Sequence, residues 1–227
     1  MNNKAIILLS GGLDSVVSLA AEYKNLDFKL ALTFDYGQKS FEKEYNASKQ
    51  IAQYYNIPHE CIKLDWLKNI TNTSLVSNES VPIVDTSKLD DKDITTNSMK
   101  SVWVPNRNGL FINIAAAYAD SYGYDYIVIG ANKEEAATFS DNSKKFIEDI
   151  TKSLETSTNQ KVKVLAPLID CNKDEIVKKA IELNVPLKYI NSCYNNTQKH
   201  CGKCESCNRL KRALQNLNCD ELIKELF

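Results

Sequence analysis

What this chain lacks narrows it first. Of its 227 residues, 28 are Lys or Arg and 29 are Asp or Glu, leaving a net charge of −1. There is no surplus of positive charge to draw it to nucleic acid or to an anionic membrane surface, which leaves only a local basic patch open. Its apolar runs are far shorter than the ~20 residues that span a bilayer, so no membrane role is expected. Met1-Asn2-Asn3-Lys4 runs into a candidate strand with no apolar signal core or cleavage site, and a cytoplasmic location is expected. There is no internal repeat, and no low-complexity tract beyond one polar stretch at 71–100. Seven cysteines make an odd number, and four of them fall between residues 193 and 207; in a cytoplasmic chain this favours metal over disulfides. The pattern G-x-x-x-x-G-K-[ST] is absent, which excludes a Walker A loop.

What is present reads as alternating strands and helices. Ala5-Ile6-Ile7-Leu8-Leu9 is short and aliphatic, as a strand buried on both faces should be. Val16, Leu19, Ala20 and Tyr23 recur at helical spacing and place a helix start near Asp14. A strand at 28–34, a helix at 42–55 stopped by Asn56-Ile57-Pro58, and a strand at 59–64 follow. Leu110, Phe111, Ile114, Ala115 and Tyr118 mark another helix, 125–130 a strand, 143–155 a helix and 162–165 a short strand. Asn172 with Glu175 three residues on is a capping box for a helix burying Ile176, Val177, Ala180 and Ile181. The expected fold is α/β over residues 1–185, a mostly parallel sheet with helices on both faces, followed at 186–227 by a small zinc-binding helical segment. Residues 71–100, rich in Asn, Thr, Ser and Asp, are expected to form an irregular substrate-side excursion or a disordered insertion.

Ser10-Gly11-Gly12-Leu13-Asp14-Ser15 joins the first strand to the first helix. A glycine turn that leads into a helix N-terminus binds phosphate: the first helical amides have no intrahelical partner, and the dipole favours an anion there. Ser10 and Ser15 add hydroxyls. Asp14 would repel bare phosphates, which points to a bridging magnesium ion. The loop resembles the SGGxDS pyrophosphatase loop of the N-type ATP pyrophosphatases, whose members cleave ATP between the α and β phosphates and transfer AMP to a substrate oxygen. The resemblance implies nucleotide contacts along Leu8, Leu9, Ser10, Gly11, Gly12, Leu13, Asp14, Ser15, Val16, Val17 and Ser18.

Cys193, Cys201, Cys204 and Cys207 follow the pattern C-x7-C-x2-C-x2-C. Four thiolates suit a closed tetrahedral zinc site, and also an iron–sulfur cluster. His200 is expected at the rim of this segment, and Cys61 as a small buried hydrophobe. Ligands of open α/β folds bind where strands end, which gathers Asp35-Tyr36-Gly37-Gln38, Trp103 to Asn108, and Gly130-Ala131-Asn132. Tyr36, Gln38, Trp103, Arg107, Asn108 and Asn132 suit a flat heteroaromatic substrate, Arg107 by holding a carboxylate or phosphate. Trp103 also suits core packing, Arg107 a surface salt bridge, and Asn108 a helix cap.

Together these motifs resemble the 7-cyano-7-deazaguanine synthase family, nitrile-forming enzymes of the queuosine pathway. The resemblance runs through SGGLDS at 10–15, Asp35-Tyr36-Gly37-Gln38, Val104-Pro105-Asn106-Arg107-Asn108, Gly130-Ala131-Asn132 and the terminal cysteines. It implies an adenine nucleotide α-hydrolase-like fold, one structural zinc, ATP with magnesium, 7-carboxy-7-deazaguanine and ammonia as substrates, and a homodimer. Pyrophosphate is expected at Ser10, Gly11, Gly12 and Ser15, and magnesium at Asp14. Adenine would lie beside the backbone of Leu32 to Phe34, and Arg107 against the substrate carboxylate or α-phosphate. Asp14, Ser15 and Arg107 are the expected catalytic residues, and no general base stands out. The chain departs from the family in having Asn106 where many members have glycine, and Asp141 to Phe146 where many carry Asp-Cys-Arg-Pro-Glu-Phe. Two other readings compete: another adenylating enzyme, or a relative with a different acceptor. A third is a zinc knuckle that binds nucleic acid, which the near-zero charge disfavours.

Overall fold

The computed structural model describes residues 3–227, with the side chain of Lys92 set aside; Met1 and Asn2, part of the leader-free reading, lie outside the described residues. In chain order the elements are β1 (Lys4–Leu8), α1 (Leu13–Glu22), β2 (Asp27–Asp35), α2 (Phe41–Tyr54), β3 (His59–Lys63), α3 (Asp65–Ile70), α4 (Lys92–Val102), α5 (Arg107–Tyr122), β4 (Tyr126–Val128), α6 (Lys133–Ala136), α7 (Lys144–Ser157), β5 (Lys163–Leu165), α8 (Lys173–Glu182), α9 (Glu205–Asn216) and α10 (Asp220–Leu226). The strands form one sheet in the order β3-β2-β1-β4-β5, and every pairing is parallel.

The central strand shows why both faces are covered. Ala5 and Ile7, with Leu9 just beyond, point into a core shared with Val16, Val17, Ile176, Val177, Leu210 and Leu214. Ile6 and Leu8 point into the opposite core, with Leu67, Ile112, Ala115 and Leu154. A strand with no wet face has to be apolar at every position, hence the unbroken aliphatic run. Each such side chain contributes roughly 1.5–3 kcal/mol on burial. The C-terminal helices are not a separate body: α9 sends Leu210, Ala213 and Leu214 into the same core as α1 and α8.

The chain order reverses at β1, whose neighbours are β2 on one side and β4 on the other. This switch point opens a crevice at the strands' C-terminal ends. Two glycines let the surrounding backbone close on it. Gly11 has φ +75°, and a Cβ there would lie 2.6 Å from the Ala47 Cβ; at Gly130 it would lie 2.6 Å from the Ser15 nitrogen.

Residues 71–91 are irregular apart from one 3-10 turn at Thr86–Lys88, Leu75 among them lines the cleft, and the stretch then turns helical. Most of α4 lies in this stretch, capped by the Asp91 carboxylate, which accepts from Asp93 N at 3.0 Å and Ile94 N at 3.2 Å. Leu75, Val81, Val84 and Leu89 are buried. The stretch packs on the cysteine segment: Asn208 Nδ2 donates to Val84 O at 2.6 Å, Arg209 to Leu89 O at 3.0 Å, and Arg212 pairs with Asp90 at 2.8 Å. Its apolar residues are too sparse to show a period, and its partners lie more than a hundred residues away.

Candidate active site

The Ser10–Ser15 loop emerges from β1 and starts α1 with no cap from the Gly12 position, and the amides of Asp14 and Ser15 have no hydrogen-bond partner among the described residues. Its hydroxyls brace the turn. Ser15 Oγ donates to Gly12 O at 3.0 Å and lies 3.1 Å from Ser10 Oγ, which accepts from Gly12 N at 3.3 Å. A second segment clamps the loop from outside: Asn191 N donates to Gly11 O at 2.8 Å, and Leu13 N donates to Ser192 Oγ at 3.1 Å. Leu8, Leu9, Ser10, Gly12, Asp14 and Ser15 line the cleft. Leu13, Val16 and Val17 are instead core residues, Ser18 is fully buried, and Gly11 turns against α2.

Beneath the loop lies a charge cluster that the sequence reading missed. Lys173 Nζ donates to both Asp14 oxygens, at 2.8 and 3.0 Å, and reaches Glu135 Oε1 at 3.5 Å. Two carboxylates share one ammonium, so they divide its benefit unequally. Burial pushes Asp14 up to about 6 against the attraction of Lys173. Burial also works on Glu135, but Lys173 and the Asn132 amide outweigh it and hold Glu135 below its usual value. Both acids held Lys173 well above the normal lysine range despite its burial. One signal could have found Lys173: it directly follows the Asn172 cap, where the helix dipole disfavours a cation.

The far part of the cleft is aromatic and charged. Phe34 and Phe111 stack at 4.0 Å, and both line it with Tyr36, Glu44, Arg107, Asn108 and Phe139. Arg107 is no surface salt bridge; Nη1 lies 3.4 Å from the Tyr36 hydroxyl and it has no carboxylate within 4.0 Å among the described residues. Asn108 is not the helix cap, because Asn106 stands at that position; Asn108 Nδ2 donates to Asp141 O at 3.1 Å. Asn106 is left-handed, with φ 50°, a conformation both glycine and asparagine tolerate, so this departure from the family pattern preserves the turn.

Gln38, Trp103 and Asn132 do not line the cleft; each stands behind a residue that does. Gln38 Nε2 donates to Glu44 at 2.9 Å. Trp103 stacks on Phe139 with ring centroids 6.3 Å apart. Asn132, fully buried, accepts from Glu135 N at 3.0 Å and so caps α6.

The thiols of Cys193, Cys201, Cys204 and Cys207 converge within 4.8 Å of one another. Cys201 and Cys207 Sγ are 3.8 Å apart, the edge of a tetrahedron with metal–sulfur bonds of about 2.3 Å. Backbone amides donate to the sulfurs: Asn195 N and Cys201 N to Cys193, at 3.3 and 3.4 Å, and Cys204 N to Cys201 at 3.4 Å. Such donors favour thiolates, so the donor set fits a zinc ion. His200 is buried, contrary to the expected rim position. Its Nδ1–H donates to Leu226 O at 3.2 Å and its Nε2 accepts from Ser192 N at 3.0 Å, which ties α10 to the loop clamp. Cys61 is only half-buried.

A parallel sheet with a glycine-rich loop at its switch point, beside four converging thiols, defines an open α/β protein with its cleft at the strand ends. Residues 4–218 match the family described as "Queuosine biosynthesis protein QueC", and the chain belongs to that family. A relative from Methanosarcina mazei named 7-cyano-7-deazaguanine synthase is 48% identical over 98% of this chain and 99% of its own length. One of the same name from Carboxydothermus hydrogenoformans is 52% identical over 92% of this chain and 97% of its own. A third, from Bdellovibrio bacteriovorus, is 45% identical over 100% of this chain and 98% of its own.

Proposed function

We propose that this chain converts 7-carboxy-7-deazaguanine and ammonia to 7-cyano-7-deazaguanine at the expense of ATP. Family membership and the named relatives support the reaction. The observation that supports the reading in this chain is the cleft itself, lined by Ser10, Gly12, Asp14 and Ser15 of the loop together with Arg107.

A carboxylate resists ammonia because its oxygen is a poor leaving group. Its attack on the α-phosphorus of ATP releases pyrophosphate and gives a mixed anhydride. Ammonia displaces AMP to form the amide with loss of a proton. The amide oxygen then attacks a second ATP, again releasing pyrophosphate; loss of AMP and the nitrogen-bound protons leaves the nitrile. The protein's contribution is positioning and charge stabilisation. The Ser10, Gly12 and Ser15 groups and the free amides of α1 receive the departing pyrophosphate, and Arg107 holds the base carboxylate. Asp14 and Glu135 carry one more negative charge than Lys173 offsets, so they fit a magnesium ion, which supplies countercharge to the phosphates when bound. The four cysteines would fill the shell of a zinc ion, whose role is then structural.

This reading includes a homodimer in the cytoplasm with no nucleic-acid partner; the family resemblance supports the first and the balanced charge the last. Mass spectrometry after incubation with ATP, magnesium, ammonium and the carboxy base tests the reaction. Nitrile and AMP are expected; AMP with a different acceptor product would refute it.

A further inference from the structure

Glu44 is a charged group in the cleft that the reaction above leaves without a task. It projects from the first turns of α2 into the aromatic part of the cleft, among Phe34, Tyr36, Phe111 and Arg107. Its carboxylate is held from behind on both oxygens. Ser40 Oγ donates to Oε1 at 2.6 Å and Gln38 Nε2 to Oε2 at 2.9 Å. Gln38 is itself locked, since its Oε1 accepts from Tyr36 N at 3.0 Å and its Nε2 also donates to Phe34 O at 3.0 Å. The carboxylate plane is therefore fixed before anything binds. Each oxygen retains a lone pair beyond these bonds. No lysine or arginine among the described residues lies within 4.0 Å, and burial pushes the carboxyl above its usual range. A positioned carboxylate facing a cleft with spare acceptor capacity is a receptor for paired N–H donors.

We propose that Glu44 reads the N1–H and 2-amino edge of the deazaguanine ring, and so sets the base specificity of the cleft; this rests on the function proposed above. The ring's two donors point the same way from adjacent atoms, the spacing that a carboxylate accepts bidentately. The base's own carboxylate lies at its other end, and Arg107 supplies the opposite charge within electrostatic reach of Glu44. The Phe34 and Phe111 rings give the flat ring an apolar wall. Adenine offers one donor and one acceptor on the matching edge, and its acceptor would meet a carboxylate oxygen. Glu44 therefore also keeps the adenine of ATP out of the base position.

The test is a chemical cycle. Wild type and Glu44→Gln are each assayed for AMP release with 7-carboxy-7-deazaguanine and with its analogue lacking the 2-amino group. Wild type is expected to prefer the amino compound by about 10- to 100-fold in kcat/KM, the range for one charge-assisted hydrogen bond. In Glu44→Gln, whose amide NH2 opposes the ring amino group, that preference should fall to within about threefold while KM for ATP stays unchanged. A preference retained in the variant, or a rise confined to the KM for ATP, overturns the proposal, the latter by assigning Glu44 to the nucleotide. Bracing of α2 alone would lower the variant's stability and leave the preference intact. Should Glu44→Gln not fold, the wild-type arm decides, because equal use of both bases by wild type also refutes the assignment. Failure of wild type to make nitrile from the carboxy base would instead sink the proposed function, a different result from a misassigned Glu44.

Discussion

Lys173→Met leaves Asp14 and Glu135 facing each other with no cation in a buried pocket. The Lys173 side chain is 7% exposed and that of Asp14 18%, so solvent screens the pair little. Removing one partner of such a pair costs roughly 3–5 kcal/mol. At about 2–4 °C per kcal/mol for a chain of this size, Tm should fall by about 6–20 °C at pH 8. The pH dependence separates charge from packing. Without the ammonium both carboxyls have folded-state pKa values raised above their unfolded ones. Such a group costs nothing below its unfolded pKa, and its cost grows as pH rises toward the folded value. The defect should therefore shrink on going from pH 8 to pH 5, by up to about 1.4 kcal/mol per pH unit for each proton bound over the interval. Methionine keeps most of the apolar stem, so packing changes little. Urea unfolding at both pH values is the assay. An equal loss at pH 5 and pH 8, or one under about 1 kcal/mol at pH 8, would refute the account of Lys173 as the countercharge of this cluster.

Arg107→Ala should raise KM for the carboxy base about tenfold or more, with ATP binding by calorimetry largely preserved; unchanged kinetics would remove Arg107 from the site. Cys204→Ser should reduce bound zinc, measured by elemental mass spectrometry, and lower Tm by several degrees, since metal affinity contributes to folding. Full zinc content in that variant would contradict the four-thiolate site. Gly130→Ala places a Cβ 2.6 Å from the Ser15 nitrogen and should cost about 1–3 kcal/mol in denaturant unfolding, with weaker ATP binding as α1 shifts.

The parts of this protein written in local pattern were legible. The β1 run, the SGGLDS turn, the Asn172 capping box and the C-x7-C-x2-C-x2-C spacing each announce themselves within a dozen or so residues, because strand burial, helix caps and metal knuckles are short-range devices. Charge clusters are not. Lys173 and Asp14 lie 159 residues apart, and neither differs in type from any surface residue. Glu44 was passed over for the same reason, since an acid in the first turns of a helix is ordinary. The segment at 71–100 shows no period because its buried residues answer to distant partners, Leu75 to the core beside the cleft and Val81 and Val84 to the cysteine segment. Gln38, Trp103 and Asn132 sit in segments that do reach the crevice. Composition could not tell a wall residue from the one bracing it; the hydrogen bonds and ring contacts behind the wall made that distinction.

Ser192 is covalently joined to Cys193, and its hydroxyl holds the amide of Leu13 at the head of α1. One peptide bond and one hydrogen bond thus separate the thiol cluster from the turn proposed to hold phosphate. Removing a metal held by the four thiols, or oxidising one of them, should therefore loosen the Ser10–Ser15 turn along with the distal segment. Preparations that differ in metal content will differ in apparent ATP affinity, so the two belong in the same measurement.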